Sequence, residues 1–345
     1  MTKYGSKWTK TPIGTGPYFV ASYTPNSEMV LQKFPEYGGG ASALGAANEF
    51  DEIRMILAPL NAVPKGQALT VALESGQSDF TPNMGARDVQ RLASNGAFKT
   101  YTPAAGLNYF FLSLDVQNPK LKDVRVRQAI RLAINVPEII QANRMPPDRR
   151  LNALISKDMG SGFWTDAPVY DRDVNQAKAL LAASGATNLK LQITTPSIAN
   201  IPGEPNAVMQ VIQANLKDAG IAVEIIETPP DAYIQKAGFG TLAWTSFGGA
   251  PDPYYQFEWF TCSQIGVWNY ASWCNKQYSD LETQLATTLD PAGRSAIAVQ
   301  MQQLMDKDVP YVWISSQVVP CASKASIQAV FDNNANPAMQ YFHSV

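Results

Sequence analysis

The sequence offers few side chains for covalent or acid–base catalysis. Its one histidine, His343, is the third residue from the C-terminus, where chains are often poorly ordered. Ser-His-Asp and Cys-His catalysis need a positioned imidazole, as do most zinc sites. The sequence has no HExxH motif, no GxSxG nucleophile elbow and no Walker A loop, and no pair of carboxylates stands out. We therefore predict no catalytic residues, no metal site and no cofactor.

A glycine pair near the start of the chain could suggest a dinucleotide loop. Gly14 and Gly16 lack the third glycine of that loop, and Pro17 and Tyr18 follow them where a helix should open. We interpret the pair as a tight turn that leads into a strand.

The chain has three cysteines, and two of them are close in sequence. Cys262 and Cys274 are separated by twelve positions, without CxxC spacing. In a cytosolic protein they would be free thiols, whereas in an exported one a disulfide could contribute about 3 kcal/mol. From the residues alone both readings stay open. Cys321 stands in an apolar segment, which predicts an inert buried thiol.

Composition narrows the class of protein. The 345 residues predict two domains or one large α/β unit. With 27 basic and 29 acidic residues, the net charge of −2 leaves no basic footprint for nucleic acid. No apolar run is long enough to span a membrane, and the residues after Met1 do not form the apolar stretch of a secretory signal. Charged residues are only 16% of the chain, so its polar contacts must rely on Asn, Gln, Ser, Thr and backbone groups.

Hydrophobic periodicity predicts alternating helices and strands. Strands are predicted over 18–23, 29–34, 50–57, 108–115, 189–195, 221–227, 241–247 and 309–315. Helices are predicted over 61–75, 124–136, 173–184, 207–219, 231–237, 279–290 and 291–308. Such alternation is typical of a sheet covered by helices. Arg125, Arg127 and Arg131 are predicted to form a solvated helix face.

Five sequence blocks occur in the order found in a known family. They are Pro12–Tyr18 with Tyr37–Gly39, Val124–Ile130 with Ala133–Asn135, Leu216–Val223 with Tyr233, Asp252-Pro253, and Asn269–Asn275. Together they resemble the peptide/nickel class (dipeptide- and oligopeptide-type, family 5) of ABC-transporter solute-binding proteins. The GTGPY motif, which normally lies well inside such chains, begins here at Gly14. The sequence therefore looks like a member that lacks its N-terminal part.

The resemblance implies an α/β fold with two lobes, the type II-like architecture of periplasmic binding proteins, with mixed sheets. The N-terminal part of one lobe and the small extra domain would be missing. We expect residues 1–105 to form part of lobe I, residues 106–315 to form lobe II, and residues 316–345 to return to lobe I. The strands 108–115 and 309–315 would be the hinge crossings.

The resemblance also implies a ligand-binding set. Trp244 matches a position whose aromatic face lines the cleft between lobes, and Thr245 and Ser246 follow it. Dipeptide-type members carry at the next position an aspartate that pairs with the peptide's amino terminus, but this chain has Phe247. We add Asn108, Phe163 and Trp164 as expected ligand-binding residues.

Each of these aromatic positions has an alternative. Core packing is an open interpretation for Trp244 and Phe247, and it is favoured for Trp164, Trp268 and Trp313. Cys262 and Cys274 match a cysteine pair of dipeptide-type members, which implies a disulfide.

The function implied is that of an extracytoplasmic substrate-binding component of an ABC importer, periplasmic or on the outer face of a membrane. It would be a monomer that binds a peptide, a peptide-like compound or another polar small solute between its lobes. Its partner would be the permease in the membrane, and nucleic acid would play no part. The alternative is a truncated module that docks a partner protein. An enzyme is disfavoured because the lone histidine offers no constellation for catalysis.

Overall fold

The structure is a computed structural model that describes residues 14–39, 49–57, 65–196, 205–229, 232, 240–250, 252–332 and 335–345. The chain divides into two compact units. The first comprises Met1–Pro103 with Val319–Val345, and the second comprises Ala104–Val318. The chain therefore passes from one unit to the other twice. The helix predicted over 231–237 lies outside the described residues, apart from residue 232.

Helices of the described residues begin and end mostly where their caps predict. They are α1 (Lys65–Glu74), α2 (Ala86–Leu92), α3 (Val124–Ala133), α4 (Val136–Ala142), α5 (Val174–Ser184), α6 (Pro205–Asp218), α7 (Pro253–Glu258), α8 (Lys276–Thr287) and α9 (Pro291–Asp308). The Asp173 side chain accepts a hydrogen bond from Gln176 N at the start of α5, and Gly185 ends that helix with φ 75°. None of these helices is both long and apolar enough to cross a membrane.

The strands form several small sheets. They are β1 (Tyr18–Thr24), β2 (Glu28–Lys33), β3 (Glu52–Ile56), β4 (Phe80–Thr81), β5 (Phe98–Tyr101), β6 (Ala104–Leu114), β7 (Lys190–Pro196), β8 (Ala222–Thr228), β9 (Leu242–Phe247), β10 (Tyr311–Val318), β11 (Cys321–Lys324), β12 (Ile327–Gln328) and β13 (His343–Ser344). The predicted hairpin of β1 and β2 is confirmed by their antiparallel pairing.

The second unit is built on a five-stranded mixed sheet with strand order β10-β6-β9-β7-β8. Strand β6 runs antiparallel to β10 and β9, whereas β7 runs parallel to β8 and β9. Helices cover both faces of this sheet, and successive side chains of a strand point to opposite faces. Phe110 and Leu112 of β6 enter one core with α3 and α6, and Tyr109 and Phe111 enter a second core with α7–α9. The strand predicted over 108–115 is thus confirmed, and its continuous apolar run is buried on both faces of the sheet.

The first unit has less core. Strands β4, β11 and β5 form one sheet, and α1 and α2 pack against it around Leu73, Met84 and Leu92. A separate sheet, β1-β2-β3, has Val30 as its single buried residue among those described.

Two predicted helices have wrong bounds. The helix predicted over 124–136 ends at Ala133, because Ile134 is extended and the Asn135 side chain caps α4 by accepting from Glu138 N. The helix predicted over 279–290 is three residues earlier, at Lys276–Thr287, because the Asn275 side chain caps α8 by accepting from Tyr278 N. In both cases an asparagine that satisfies the first-turn amides decides where the helix begins.

The solvated face predicted for the arginines of α3 is wrong for two of the three. Arg127 is buried and donates through Nε and Nη2 to the Asp308 carbonyl oxygen at 2.9 and 2.6 Å, at the C-terminal end of α9. The Arg131 guanidinium pairs with the Asp306 carboxylate at 2.7 Å and lies over the ring of Tyr170. These two side chains join α3 to α9 instead of facing solvent.

Candidate ligand-binding site

The carboxyl end of β9 meets the start of β6. In the sheet register Phe247 is opposite Tyr109 and Ser246 is opposite Phe110. Just beyond the strand, Gly249 N donates to the Asn108 Oδ1 atom at 3.3 Å. Ligands of open α/β sheets bind outside the carboxyl ends of the strands. Four expected site residues therefore lie together here: Asn108 and the three residues Thr245, Ser246 and Phe247.

Glycines keep this loop close to its neighbours. A Cβ atom at Gly248 would lie 2.9 Å from Asn108 Oδ1, and one at Gly249 would collide with the side-chain amide of Gln256. Gln256 is itself buried. The backbone that follows β9 is thus held against two amide side chains, which would have to shift to admit a Cβ atom at either position.

Trp244 lies in the core of the second unit. Its indole is fully buried and stacks on the ring of Phe110, with 5.5 Å between ring centroids and 8° between the planes. Thr245 is also buried, and Ser246 is half-buried. Contact between Trp244 and a ligand stays a prediction, and it would require the residues that cover the indole to move.

Phe247 faces the opposite side of the sheet, where aromatic rings surround it. The nearest ring is that of Trp259, edge to face with 4.5 Å between centroids. The rings of Phe111, Tyr270, Phe260 and Trp268 follow at 5.0, 5.4, 6.0 and 6.3 Å. Phe247 is therefore one member of an aromatic cluster, at the position where the resemblance leads us to expect an aspartate in dipeptide-type members.

This cluster reaches the surface at the loop between the two bridged cysteines. Trp268 stacks on Trp259, with 5.7 Å between centroids and 28° between the planes, and 39% of Trp268 is exposed. The core position favoured for Trp268 is therefore wrong, whereas Trp313 is half-buried against the second core. Sequence reasoning missed Trp259 because a tryptophan at the end of a short helix carries no signal of its own.

Phe163 and Trp164 occupy another part of the second unit. Their segment is fixed to α9, because Gln302 Nε2 donates to the Gly162 carbonyl oxygen at 2.8 Å and Gly162 N donates to Ser295 Oγ at 3.1 Å. Trp164 is buried, and Phe163 is 39% exposed. Within the described ranges, no hydrogen bond or ring contact joins either of them to residues 244–247.

The surface loop beside the cluster is held in place at several points. Cys262 and Cys274 form the disulfide that the resemblance implied. Inside the loop, the buried Asn269 side chain donates to three carbonyl oxygens, those of Phe260, Thr261 and Trp273, at 3.1, 3.0 and 2.7 Å. Its Oδ1 atom accepts from Trp273 N and from the Tyr311 hydroxyl. The loop is thus fixed to both its own ends and to β10.

Tyrosine hydroxyls under the cluster stay protonated at physiological pH. Burial raises the pKa of Tyr270 to about 12, and it raises the pKa of Tyr109 well above its ordinary value. The Tyr109 hydroxyl is buried and has no hydrogen-bond partner among the described residues. Across all the residues that the structure describes, no group of three or more His, Cys, Asp or Glu side chains is placed to hold a metal ion.

Comparison of the sequence with known proteins shows which family the chain matches. The chain matches the bacterial extracellular solute-binding proteins, family 5 (middle region), over residues 1–267. It is 28% identical over 331 residues to the dipeptide-binding protein of Escherichia coli K12, covering 92% of this chain and 59% of the relative. It is 26% identical to the nickel-binding protein NikA of Staphylococcus aureus, covering 91% of this chain and 62% of the relative. The chain thus spans less than two thirds of these relatives.

Solved structures show the same fold. The dipeptide-binding protein from Pseudoalteromonas sp. SM9913, in complex with Met-Leu, superposes with a TM-score of 0.80 at 19% identity, covering 96% of this chain and 64% of that one. DppA from Helicobacter pylori, in complex with the peptide STSA, gives 0.78 at 22% identity, covering 99% and 65%. The expected α/β architecture of family 5 binding proteins is confirmed.

Proposed function

The chain belongs to the bacterial extracellular solute-binding proteins of family 5, and from this premise we propose that it is the substrate-binding component of an ABC importer. It would act in the periplasm or at the outer face of a membrane, as a monomer, and deliver its solute to a permease. The single observation that carries the proposal is the hydrogen bond between Gly249 and Asn108 at the carboxyl end of β9, since ligands of open α/β sheets bind outside the carboxyl ends of the strands. No chemical step is part of this role.

The ligand is proposed to be a peptide, a peptide-like compound or another polar small solute. Its anchoring must differ from that of dipeptide-type members, because Phe247 has no carboxylate for an ammonium group. Polar contacts would come from backbone groups of the glycine loop and from the Asn108 and Ser246 side chains. The hinge closure implied by the resemblance stays a prediction.

Calorimetric titration tests the proposal. We expect at least one of four probes, Ala-Ala, Ala-Phe, Met-Leu and Ni(L-His)₂, to bind the purified protein with a 1:1 stoichiometry. Asn108→Ala should weaken that binding at least tenfold, because it removes the side chain that holds the glycine loop. Asn118→Ala serves as the control, since Asn118 supports a turn through Lys120 N. The proposal fails if no probe binds, or if the Asn108→Ala variant binds like the parent protein while its melting temperature is unchanged.

A second candidate function rests on a different observation. The β1-β2-β3 sheet contributes no residue to the three core clusters of the described chain, and Phe19, Tyr23 and Ile56 of its strands are 44%, 43% and 46% exposed. Two- and three-stranded sheets normally need a packed face for stability. This exposure favours a module that docks a partner protein through the sheet.

Light scattering combined with the same titrations separates the two candidates. The docking function predicts that the chain forms a complex of defined stoichiometry with a partner protein and that Tyr23→Ser disrupts this complex. It also predicts that none of the solute probes binds. A monomer that binds one of the probes rejects it.

A further inference from the structure

Three aromatic residues form an exposed shelf beside the candidate site. The shelf is defined here as Tyr255, Trp259 and Trp268. Trp259 and Trp268 stack on each other, and the Tyr255 ring meets Trp259 edge to face, with 5.4 Å between centroids. Tyr255 is 41% exposed and Trp268 is 39% exposed, so wide ring surfaces are open to a ligand.

The shelf is continuous with the proposed binding site. Phe247, the last residue of β9, contacts both tryptophans of the shelf edge to face, at 4.5 and 6.3 Å between centroids. Phe247 itself is buried, so a solute whose polar backbone lies at Asn108 and the glycine loop would pass over it to reach the shelf. Phe247, which stands where a carboxylate anchor is expected, thus lies between the polar end and the aromatic end of the site.

The shelf is preorganised before any ligand arrives. The Cys262–Cys274 disulfide closes the loop that carries Trp268, and the next residue, Asn269, is buried and hydrogen-bonded to backbone on both sides of the loop. A ring placed on a surface that is already ordered loses little further conformational entropy of the protein on binding. A loop that only filled a core would not need to present its tryptophan to solvent.

The chemistry of the shelf selects its occupant. Each ring contact described for the three shelf residues is to another aromatic ring. Of the carboxylates on the neighbouring helices, Glu282 is hydrogen-bonded to the Tyr254 hydroxyl and lies close to Glu258, and burial raises the pKa of Glu282. A surface built of stacked and edge-to-face rings suits a further aromatic ring, because aromatic pairs gain stability beyond the area that they bury.

We propose that the shelf binds an aromatic ring carried by the solute, so that the transported substrates are peptides or peptide-like compounds with an aromatic side chain. This inference rests on the proposed function and deepens it by naming the substrate class. Trp268 supplies the open stacking face, Trp259 supports it from below, and Tyr255 borders it.

Titration with two matched dipeptides tests the inference. We expect Ala-Phe to bind at least tenfold more tightly than Ala-Ala. In Trp268→Ala the preference should fall below threefold with Ala-Ala affinity unchanged, whereas Trp268→Phe, which keeps a ring, should retain most of it. Leu289→Ala is the control, since Leu289 is 91% exposed and lies between α8 and α9. Melting curves verify that each variant folds.

The outcomes separate this inference from the proposed function. Equal affinity for the two dipeptides, or an undiminished preference in a folded Trp268→Ala variant, overturns the inference and leaves solute binding standing. Failure of both dipeptides to bind at millimolar concentration contradicts the aromatic-peptide substrate class. In that case the nickel–histidine probe decides whether solute binding survives.

Discussion

The ring of Phe247 meets the indole of Trp259 edge to face, with 4.5 Å between their centroids. Dipeptide-type members are expected to carry an aspartate at this position. In this chain the position belongs to a packed aromatic cluster, so this part of the site is apolar. Phe247 is only 6% exposed and lies in the second core of its unit. The side chain therefore contributes both to stability and to the shape of the proposed site.

Phe247→Asp should be far more costly than a size-conserving change. A carboxylate at this position would be buried among rings without a cationic partner, so we expect the free energy of unfolding to fall by about 3 kcal/mol or more. Phe247→Leu keeps an apolar side chain and should cost about 1 kcal/mol. Urea unfolding followed by circular dichroism measures both. Equal losses in the two variants would contradict the packing described for Phe247.

Asn269 should be one of the most sensitive polar positions in the chain. Asn269→Ala leaves three carbonyl oxygens, one amide and the Tyr311 hydroxyl without their partner inside the protein. Since each unsatisfied buried group costs about 1–3 kcal/mol, the variant should lose about 3 kcal/mol or more. Asn118→Ala, in an exposed turn, should lose about 0.5–1 kcal/mol in the same urea titration. A loss at Asn269 no larger than at Asn118 would refute the network.

Two buried tyrosines form a matched pair. The Tyr278 hydroxyl donates to the Phe257 carbonyl oxygen at 2.9 Å, whereas the Tyr109 hydroxyl has no partner among the described residues. Tyr278→Phe should lower the free energy of unfolding by about 1 kcal/mol, because it removes a buried hydrogen bond to the Phe257 carbonyl oxygen, which still accepts from Phe260 N. Tyr109→Phe should be neutral or stabilising, because it removes a buried hydroxyl for which the described part of the chain offers no hydrogen-bond partner. A larger loss in Tyr109→Phe than in Tyr278→Phe would reverse this account.

Thiol counting tests the cysteine assignment. Burial raises the pKa of the Cys321 thiol to about 12, so at pH 8 almost none of it is the reactive thiolate. An alkylating reagent should therefore leave the native protein unlabelled at pH 8. Labelling should rise only as the pH approaches the raised pKa, since deprotonation produces the nucleophile.

Denaturation should expose one thiol without reductant and all three cysteines with it, as read by intact mass. Three labels without reductant would contradict the disulfide. Cys262→Ser with Cys274→Ser should lower the free energy of unfolding by about 3 kcal/mol, because the open loop gains entropy when the chain unfolds.

Local rules predicted much of the fold. The helix over 291–308 begins after Asp290 and ends at Asp308, as its Pro at the first position and its apolar spacing indicate. Gly185 and Gly220 end α5 and the turn after α6 with positive φ, where a side chain would be strained. The apolar run of β6 needed no partner to be recognised, because burial on both faces leaves no polar alternation.

The misses have a tertiary cause. Asn135 ends the predicted continuous helix because its backbone N–H donates to Asn215 Oδ1 at 2.6 Å, a partner eighty positions away in the chain. Arg127 is buried because it donates to a carbonyl oxygen at the end of α9 that has no acceptor role within that helix. Helical periodicity in α3 cannot predict this contact. At the candidate site, Phe247 was singled out by its place in a family pattern. The contacts of Trp259 and Trp268 with each other and with Phe247 depend on the tertiary fold, so the sequence alone did not predict the shelf.

Native mass spectrometry of protein purified without refolding tests the central claim most directly. The account predicts a second mass series above that of the chain, displaced by one small molecule, which disappears on gentle activation and returns when an aromatic dipeptide is added. A spectrum that shows the bare chain alone, before and after addition of the dipeptide and nickel–histidine probes, would contradict solute binding.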